Sequence, residues 1–261
     1  MYFELKKAGW IKRISAFLFD FIIFCVAAVG VAVLISAIVG YDAKLNDLEM
    51  SYREYGEKYD IDLEITEEKY KELSDEEKGR YQEASEAFAN DREVIALQSM
   101  IFSLTLVIIS LSMLIAFLIL EFIVPLLFKN GQTLGKKIFG IAVIRVDGVR
   151  IPTFQLFVRA VLGKYTIETM VPLFIIMLFL MGTLGIMGPI VILLLIVLQI
   201  VVMVVSKTNS PIHDLLAVTA VVDINTQMIF DSTAEMIEYK KKRAEQEALA
   251  KPYKIWFKKN R

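Results

Sequence analysis

The chain has 261 residues, 56% of them hydrophobic, and a formal net charge of −1 at pH 7. Long apolar runs carry this hydrophobic share, which excludes an ordinary soluble globule and predicts a polytopic membrane protein. Cys25 is the only cysteine, so neither an intramolecular disulfide nor a cysteine-based metal site can form. We expect no nucleic-acid partner for such a chain.

An apolar run over residues 14–39 is the first predicted element, and basic residues precede it. The run exceeds the roughly 20 residues that cross a bilayer. It is about twice as long as the core of a secretory signal and ends without a small-residue cleavage pattern. We therefore interpret it as a retained membrane anchor.

Asp20 lies inside this run. An ionised carboxylate at that depth costs on the order of 3 kcal/mol, so it must be paired, hydrated or protonated. Two interpretations stay open: a packing carboxylate bonded to hydroxyls such as those of Ser15 and Ser36 or others across the bundle, and a protonatable site on an ion pathway. Arg13 shares a helix face with Asp20 but lies about 10 Å away along the axis, so each needs a partner on another segment.

An acidic segment follows, with 17 acidic and 8 basic residues between positions 40 and 92. Leucines and tyrosines recur at helical spacing over residues 45–59, and Ser74 with Glu77 matches a capping box. We predict a helical hairpin outside the membrane. Its charge is typical of a solvated face or, alternatively, of a docking surface for a basic partner or for cations.

Three further apolar stretches cover residues 94–128, 170–181 and 186–205. The last two are joined by GTLGIMGP, which favours a tight turn within a tilted helical hairpin. A re-entrant pair that does not cross the bilayer fully is the alternative for residues 170–205.

Glu121 and Glu168 lie in apolar settings within or beside these stretches. Carboxylates at such positions are expected to be paired or to belong to an ion pathway. Their predicted partners are Arg159, Lys164 and Arg13, or Asp20 in a proton relay.

Residues 135–152, GKKIFGIAVIRVDGVRIP, alternate apolar and polar positions around Asp147-Gly148. The pattern predicts a short β-hairpin with a type I′ turn. Residues 217–224 are a third candidate strand. Between them, residues 153–165 predict an amphipathic helix that lies in the inner membrane interface.

Lysine and arginine concentrate in the amino terminus, in the loop after residue 128 and in the tail after residue 205. The positive-inside rule places these parts in the cytoplasm and the acidic segment outside. We predict a multi-pass protein of the cell membrane with both termini cytoplasmic. The tail is helix-prone up to Pro252; beyond it, lysines beside Tyr253, Trp256 and Phe257 predict contact with anionic lipids at about 1 kcal/mol per cation.

The expected fold class is an all-α membrane protein with about four transmembrane helices, an extracytoplasmic helical hairpin insert and a small cytoplasmic β-hairpin. Its predicted segments are the basic amino terminus with the first span (1–39), the acidic insert (40–93), the remaining membrane core with its cytoplasmic loop (94–224), and the basic tail (225–261).

No motif indicates catalysis. Gly131 and Gly135 of GQTLGKK are separated by three residues, whereas a phosphate loop has four, and the sequence shows no Ser/His/Asp constellation. His213 is the only histidine; it cannot build a multi-histidine metal site, and we expect a surface role. Asp214 falls in the first turn of a short helix after Ser210-Pro211, where capping alone accounts for a negative charge. We expect neither an enzyme nor a bound cofactor or metal.

Three separated stretches, KRISAFLFDFII, GQTLGKKIFGIAVIRVDG and SPIHDLLAVTAVV, together resemble the RDD family of bacterial membrane proteins, named for one arginine and two aspartates. The resemblance covers residues 7–224, interrupted by the acidic insert. It implies Arg13 as the family arginine, with Asp20 and Asp214 as the aspartates. The family usually has glycine where Val218 stands. Transport of an unidentified ligand has been suggested for the family, with cation/proton exchange proposed for some relatives.

The leading hypothesis is transport or binding of a small ion or solute through a buried site of Arg13, Asp20 and Asp214, with Glu121 and Glu168 as further pathway residues. Four spans make a thin bundle, which favours a homo-oligomer or a membrane-protein partner. We predict that the short helix after Ser210 folds back so that Asp214 meets Arg13 within about 8 Å, directly or through one water, because a guanidinium pair is a common way to hold such charges at membrane depth. The alternative is a non-catalytic regulator or scaffold that binds another membrane protein through the acidic insert or the basic tail.

Overall fold

The computed structural model describes residues 5–259, with side chains through residue 246 and at residue 248. This part of the chain forms α-helices, two π-helical segments (Leu118–Ile123 and Val158–Met170) and two short strands, β1 (Ile141–Arg145) and β2 (Thr219–Asp223). The α-helices are α1 (Trp10–Val39), α2 (Tyr41–Tyr59), α3 (Glu67–Glu72), α4 (Asp75–Asn90), α5 (Arg92–Phe117), α6 (Val124–Leu127), α7 (Leu134–Ile138), α8 (Thr153–Phe157), α9 (Val171–Leu180), α10 (Met187–Val205), α11 (Ile212–Leu216) and α12 (Thr233–Lys259).

Within residues 5–259, four helical segments are long and apolar enough to cross a bilayer: Trp10–Val39, Arg92–Leu127, Thr153–Leu180 and Met187–Val205. Large apolar side chains are exposed along them, as Ile38 is at 83%. Such exposure is expected where lipid takes the place of water. The predicted fold class, an all-α membrane protein with about four spans and a small β element, is confirmed.

The third span is longer than its apolar run. Thr153–Leu180 is one continuous helix of 28 residues, so residues 153–165, expected as a separate interfacial helix, are its first half. At the 1.5 Å per residue of an α-helix this helix is at most about 42 Å long, since its π-helical part rises less per residue, and α10 is about 28 Å long. Both lengths suit a hydrocarbon core of about 30 Å, which favours two full crossings over a re-entrant pair. The apolar run in the sequence is shorter than the span because it ends at charged residues. In the structure, other side chains compensate the charges of these residues.

Two of the spans change to π-helical hydrogen bonding just before a proline. Leu118–Ile123 precedes Pro125, and Val158–Met170 precedes Pro172. Proline has no N–H and crowds the carbonyl four residues earlier, so the wider π pattern relieves the helix at these points. Thr169 supports the second segment by donating its hydroxyl to the carbonyl oxygen five residues before it, at 2.9 Å.

A two-stranded sheet joins distant parts of the chain. β1 and β2 pair antiparallel, from Ile141 opposite Asp223 to Arg145 opposite Thr219, and Lys7 bridges to β2 from its other side. The sheet packs against the start of α1 and against α8. The buried apolar residues of this core are Ala8, Ala16, Ile141, Val143, Ile151, Leu156 and Val221. The sheet therefore ties the beginning of the first span to the chain that follows the fourth.

The strand pairing differs from the predicted hairpin in two respects. A turn forms, but the Gly148 N–H donates to the Arg145 carbonyl at 3.0 Å, so the central residues are Val146 and Asp147. Of Asp147 and Gly148, only Gly148 has a positive φ, at 91°, so the predicted type I′ turn is wrong. After the turn, however, Arg150 keeps only a single bridge to Ile144. The main partner of β1 is β2, the third candidate strand, whose apolar residues cover more of β1.

The chain divides into two compact units, one of Met1–Cys25 with Phe117–Arg261 and the other of Val26–Ala116. The second unit contains the acidic segment. Its helices α2 and α4 pack together, with the rings of Tyr52 and Phe88 stacked at 4.3 Å between centroids. Ser74 and Glu77 form the predicted capping box. The acidic segment is thus a helical hairpin; the predicted four-part division by membrane side stays a prediction.

The carboxyl-terminal helix α12 starts next to the sheet. Met236 and Phe230 pack with Val149 in a small buried cluster. The helix continues to Lys259 and so extends beyond Pro252, where the sequence predicted its end. The side chains of Tyr253, Trp256 and Phe257 lie outside the described residues, and their contact with anionic lipids stays a prediction.

Candidate functional site

Asp20 holds a short helix against the first span. Its carboxylate accepts the Thr133 hydroxyl through Oδ2 and the Gly135 N–H through Oδ1, the latter at 2.7 Å. Thr133 is the N-cap of α7, so Asp20 reaches the amino end of that helix. The hydroxyl partner is therefore Thr133, not Ser15 or Ser36. Both carboxylate oxygens thus have donors.

Lys136 on α7 is buried next to this contact. Its Nζ donates to the Thr133 hydroxyl oxygen at 3.2 Å. Burial, aided by the nearby Arg159 and Lys164 cations, lowers the pKa of Lys136 to about 8, against the opposing attraction of Glu121. Lys136 is thus a buried ammonium that has no direct carboxylate partner among the described residues, and the sequence did not single it out.

Asp214 pairs with Arg159. The Arg159 Nε donates to Asp214 Oδ1 at 2.7 Å, and the two side chains are only 3% and 1% exposed. The Thr219 hydroxyl donates to the same oxygen at 2.9 Å. Burial by itself raises the pKa of Asp214, but Arg159 outweighs it and holds that pKa well below its usual range. This pair joins α11 to the third span.

Arg13 makes no direct hydrogen bond to Asp214 among the described residues, and the predicted approach of the two side chains to within about 8 Å stays a prediction. Arg13 donates from Nη1 to the Asn209 carbonyl and from Nη2 to the Val221 carbonyl, each at 2.8 Å. It therefore fastens α1 to backbone that flanks α11. Asp214 faces Arg159 instead, because α11 packs on the third span through Gly163, and sequence spacing gives no register for that packing.

His213 is buried, which corrects the expected surface role. Its ring Nδ1 lies 2.6 Å from Glu168 Oε2, and its backbone N–H donates to Glu168 Oε1 at 3.0 Å. The Arg159 Nη2 lies 3.1 Å from His213 Nε2. A guanidinium only donates, so Nε2 accepts and the proton of a neutral imidazole sits on Nδ1, where it is donated to Glu168. We call Arg159, His213, Asp214 and Glu168 the Arg159 cluster.

Glu121 pairs with Lys164 between the two π-helical segments. The Glu121 side chain is only 7% exposed, and its second oxygen, Oε2, has no hydrogen-bond partner among the described residues. Gln199 on α10 donates from Nε2 to Glu168 Oε1 at 2.9 Å. Its Oε1 is likewise buried without a partner in the described part of the chain.

A cavity of about 500 Å³ lies between the spans. Its charged lining consists of Asp20, Glu121, Glu168 and Lys164, and Gln199 also lines it. Apart from Thr169, the remaining wall is apolar and includes Phe17, Phe21, Phe24, Phe117, Leu195 and Ile196. We call it the carboxylate cavity. It combines acidic groups with an apolar wall, which is typical of sites that bind small molecules or ions inside a helical bundle.

The structure brings three of the five predicted site residues to this cavity: Asp20, Glu121 and Glu168. Arg13 and Asp214 are not among its lining residues. The sequence did not identify Gln199, although a lone amide in an apolar helix is a signal for an internal hydrogen bond. In the part of the chain that the structure describes, no group of three or more His, Cys, Asp or Glu side chains is arranged to hold a metal ion.

Long apolar helices together with ion pairs buried among them define a polytopic α-helical membrane protein. The RDD family model matches residues 7–218. The chain therefore belongs to the RDD family of bacterial membrane proteins, as the sequence resemblance predicted. No curated protein and no solved structure matches it.

Proposed function

We propose that this protein binds and moves a small ion or solute through the carboxylate cavity. The observation that carries the proposal is that Asp20, Glu121 and Glu168, three acidic residues from different spans, line one cavity with an apolar wall. Carboxylates among membrane spans are costly, and they commonly mark ion or solute pathways.

The surrounding ion pairs support this proposal. Asp214 Oδ1 accepts from Arg159 and Thr219, and Arg13 donates to two backbone carbonyls. These residues have positioning roles in the proposal: they hold α11 and the sheet against the spans. The π-helical segments, which are frequent at functional sites, carry Glu121, Lys164 and Glu168 into the cavity.

The same proposal includes the membrane topology, the oligomeric state and the lipid contacts of the protein. Both termini are cytoplasmic and the acidic hairpin faces outward, since basic residues concentrate outside the hairpin. Four spans form a thin bundle, so the transporting form is a homo-oligomer. The basic tail contacts anionic lipids. The proposal assigns the chain no catalytic reaction and no cofactor.

Flux measurements in proteoliposomes test the proposal. Purified protein is reconstituted with a pH-sensitive dye inside, and an inward gradient of NaCl or KCl is imposed. We expect cation-driven proton flux to fall at least about tenfold in Asp20→Asn, since the amide keeps the shape of the carboxylate without its charge. The control is Gln155→Leu, because Gln155 lies on the third span but does not line the cavity. Equal flux in wild type and Asp20→Asn would sink the proposal.

A second candidate is a regulator or scaffold that binds another membrane protein. It is favoured by the acidic hairpin, which folds within its own compact unit around Phe88 and the tyrosines of α2. Crosslinking in native membranes, with and without residues 45–90, tests it. A partner recovered reproducibly only from the intact chain supports this function, and recovery of the same proteins from both chains contradicts it.

A further inference from the structure

Two buried acceptors of the carboxylate cavity lack donors. Among the described residues, neither Glu121 Oε2 nor Gln199 Oε1 has a hydrogen-bond partner. The orientation of the Gln199 amide follows from its contact, since the group that faces the Glu168 carboxylate must be the NH₂. Buried acceptors are costly to leave unsatisfied. The cavity is therefore matched to a molecule that donates hydrogen bonds.

The charges of the residues that line the cavity favour one sign of charge on the bound molecule. Three carboxylates and one ammonium line the cavity, and the ammonium of Lys164 already engages Glu121 Oε1. An anion would meet three carboxylates and a single ammonium that is already paired with Glu121. A cation that carries N–H groups satisfies both the charge and the open acceptors.

The composition of the cavity wall favours an organic cation over a bare metal ion. Ca²⁺ takes six to eight oxygen ligands and Mg²⁺ about six, whereas an ammonium needs at most three acceptors. Most of the wall is aliphatic or aromatic, which suits a carbon body. Phe117 already faces a cation, with the Lys164 Nζ 5.7 Å from its ring centroid, so the aromatic wall is compatible with ammonium groups. A cavity of about 500 Å³ has the size of small-molecule sites.

We propose that the carboxylate cavity binds a small amphiphilic primary amine in its protonated form. The ammonium donates to Glu121 Oε2 and Gln199 Oε1, and the apolar body lies against the phenylalanine wall. This inference rests on the proposed function and names the class of its substrate.

Calorimetric titration of the full-length protein in nanodiscs of phosphatidylcholine tests the inference, because that lipid headgroup has no N–H donor. The probe is 4-phenylbutylamine, with 4-phenylbutanol as the uncharged analogue, and empty nanodiscs correct for partition into lipid. We expect the amine to bind at least about tenfold more tightly than the alcohol. Gln199→Leu should weaken amine binding about fivefold. The matched control Gln155→Leu, which also removes a buried amide oxygen without a partner but lies outside the cavity lining, should leave binding unchanged.

Equal binding of the amine and the alcohol, or equal weakening by the two leucine variants, overturns the inference. A second series in nanodiscs that contain phosphatidylethanolamine identifies the source of the ammonium. Competition by this lipid supports the same chemistry with a lipid headgroup as donor, and unchanged affinity supports a free amine. Binding of NaCl or KCl without binding of the amine overturns the amine inference while the proposed function stands. Absence of proton flux in the proteoliposome assay counts against the function alone, since the titration measures binding.

Discussion

Asp214 and Arg159 form the most deeply buried ion pair described in the protein, and each depends on the other. Removing one partner of such a pair leaves a buried charge uncompensated, at about 3 to 5 kcal/mol. We expect Arg159→Met and Asp214→Asn each to lower the free energy of unfolding by this amount. The double variant should cost about 2 kcal/mol less than the sum of the two.

A second double-mutant cycle provides the control. Arg13 donates to backbone carbonyls and not to Asp214, so the coupling of Arg13→Met with Asp214→Asn should stay below about 1 kcal/mol. Unfolding in detergent, followed by circular dichroism, measures both cycles. Equal coupling energies in the two cycles would contradict the assignment of Arg159 as the partner of Asp214.

Val218 stands where the RDD family usually has glycine, and its backbone conformation is one that favours glycine. Its φ is 54°, in the left-handed region where a β-branched residue is strained and glycine is not. The side chain is 51% exposed, so little burial is lost on truncation. We expect Val218→Gly to stabilise the protein by about 0.5 to 1 kcal/mol, the strain relieved less the entropy cost of glycine. The control is Val222→Gly in buried β2, which should destabilise the protein. A lower melting temperature in both variants would show that Val218 is unstrained.

The residue types of the site could be predicted from the sequence, but their pairing could not. Carboxylates and cations inside apolar runs are conspicuous, and Glu121 with Lys164 was one of the expected pairs. The partner of Asp214 depends on how α11 rests on the third span, a register set by the close approach at Gly163. Local spacing carries no information about such a contact between segments 50 residues apart in sequence, as His213 and Gly163 are.

Two glycines let the helical elements approach closely. A Cβ on Gly135 of α7 would lie 2.4 Å from the Ala16 carbonyl oxygen, and one on Gly163 would lie 2.6 Å from the His213 Cβ. We expect Gly135→Ala and Gly163→Ala each to cost about 1 to 3 kcal/mol through overpacking. In Gly30→Ala the added Cβ meets nothing within 4 Å, so that variant should be neutral or gain up to about 1 kcal/mol of helix propensity. Thermal unfolding in detergent compares them, and three equal melting temperatures would contradict the packing.

At the scale of secondary-structure elements, hydrophobic periodicity predicted the helices. It did not predict the full length of the third span or the pairing of the strands. The spans, the acidic hairpin and the capping box at Ser74 follow from local patterns. The predicted third span was shorter than the observed one, because a hydropathy pattern treats a charged residue as a boundary even where the protein neutralises its charge. The pairing of β1 with β2 was missed for another reason: a turn signal is local, whereas strand choice depends on which apolar strand buries the exposed face.

The proposed orientation of the whole molecule can be tested by thiol labelling. Replacing Cys25 by serine gives a cysteine-free background, into which Glu68→Cys or Thr226→Cys is introduced at exposed positions. A membrane-impermeant maleimide should label the position in the acidic hairpin in intact cells. The position after β2 should react only after permeabilisation, because the positive-inside rule places it in the cytoplasm. The reverse labelling pattern would overturn the orientation.

The central claim is that the open carboxylate oxygen of Glu121 in the carboxylate cavity is what a transported species engages. The double variant Glu121→Gln/Lys164→Met removes that charge together with its paired cation, so neither member of the ion pair is left uncompensated and the fold should persist. The most direct measurement is cation-driven proton flux in proteoliposomes, with equal amounts of folded wild type, double variant and Gln155→Leu. We predict wild-type flux in Gln155→Leu and a loss of at least about tenfold in the double variant at an unchanged melting temperature. Wild-type flux in the folded double variant would contradict the claim.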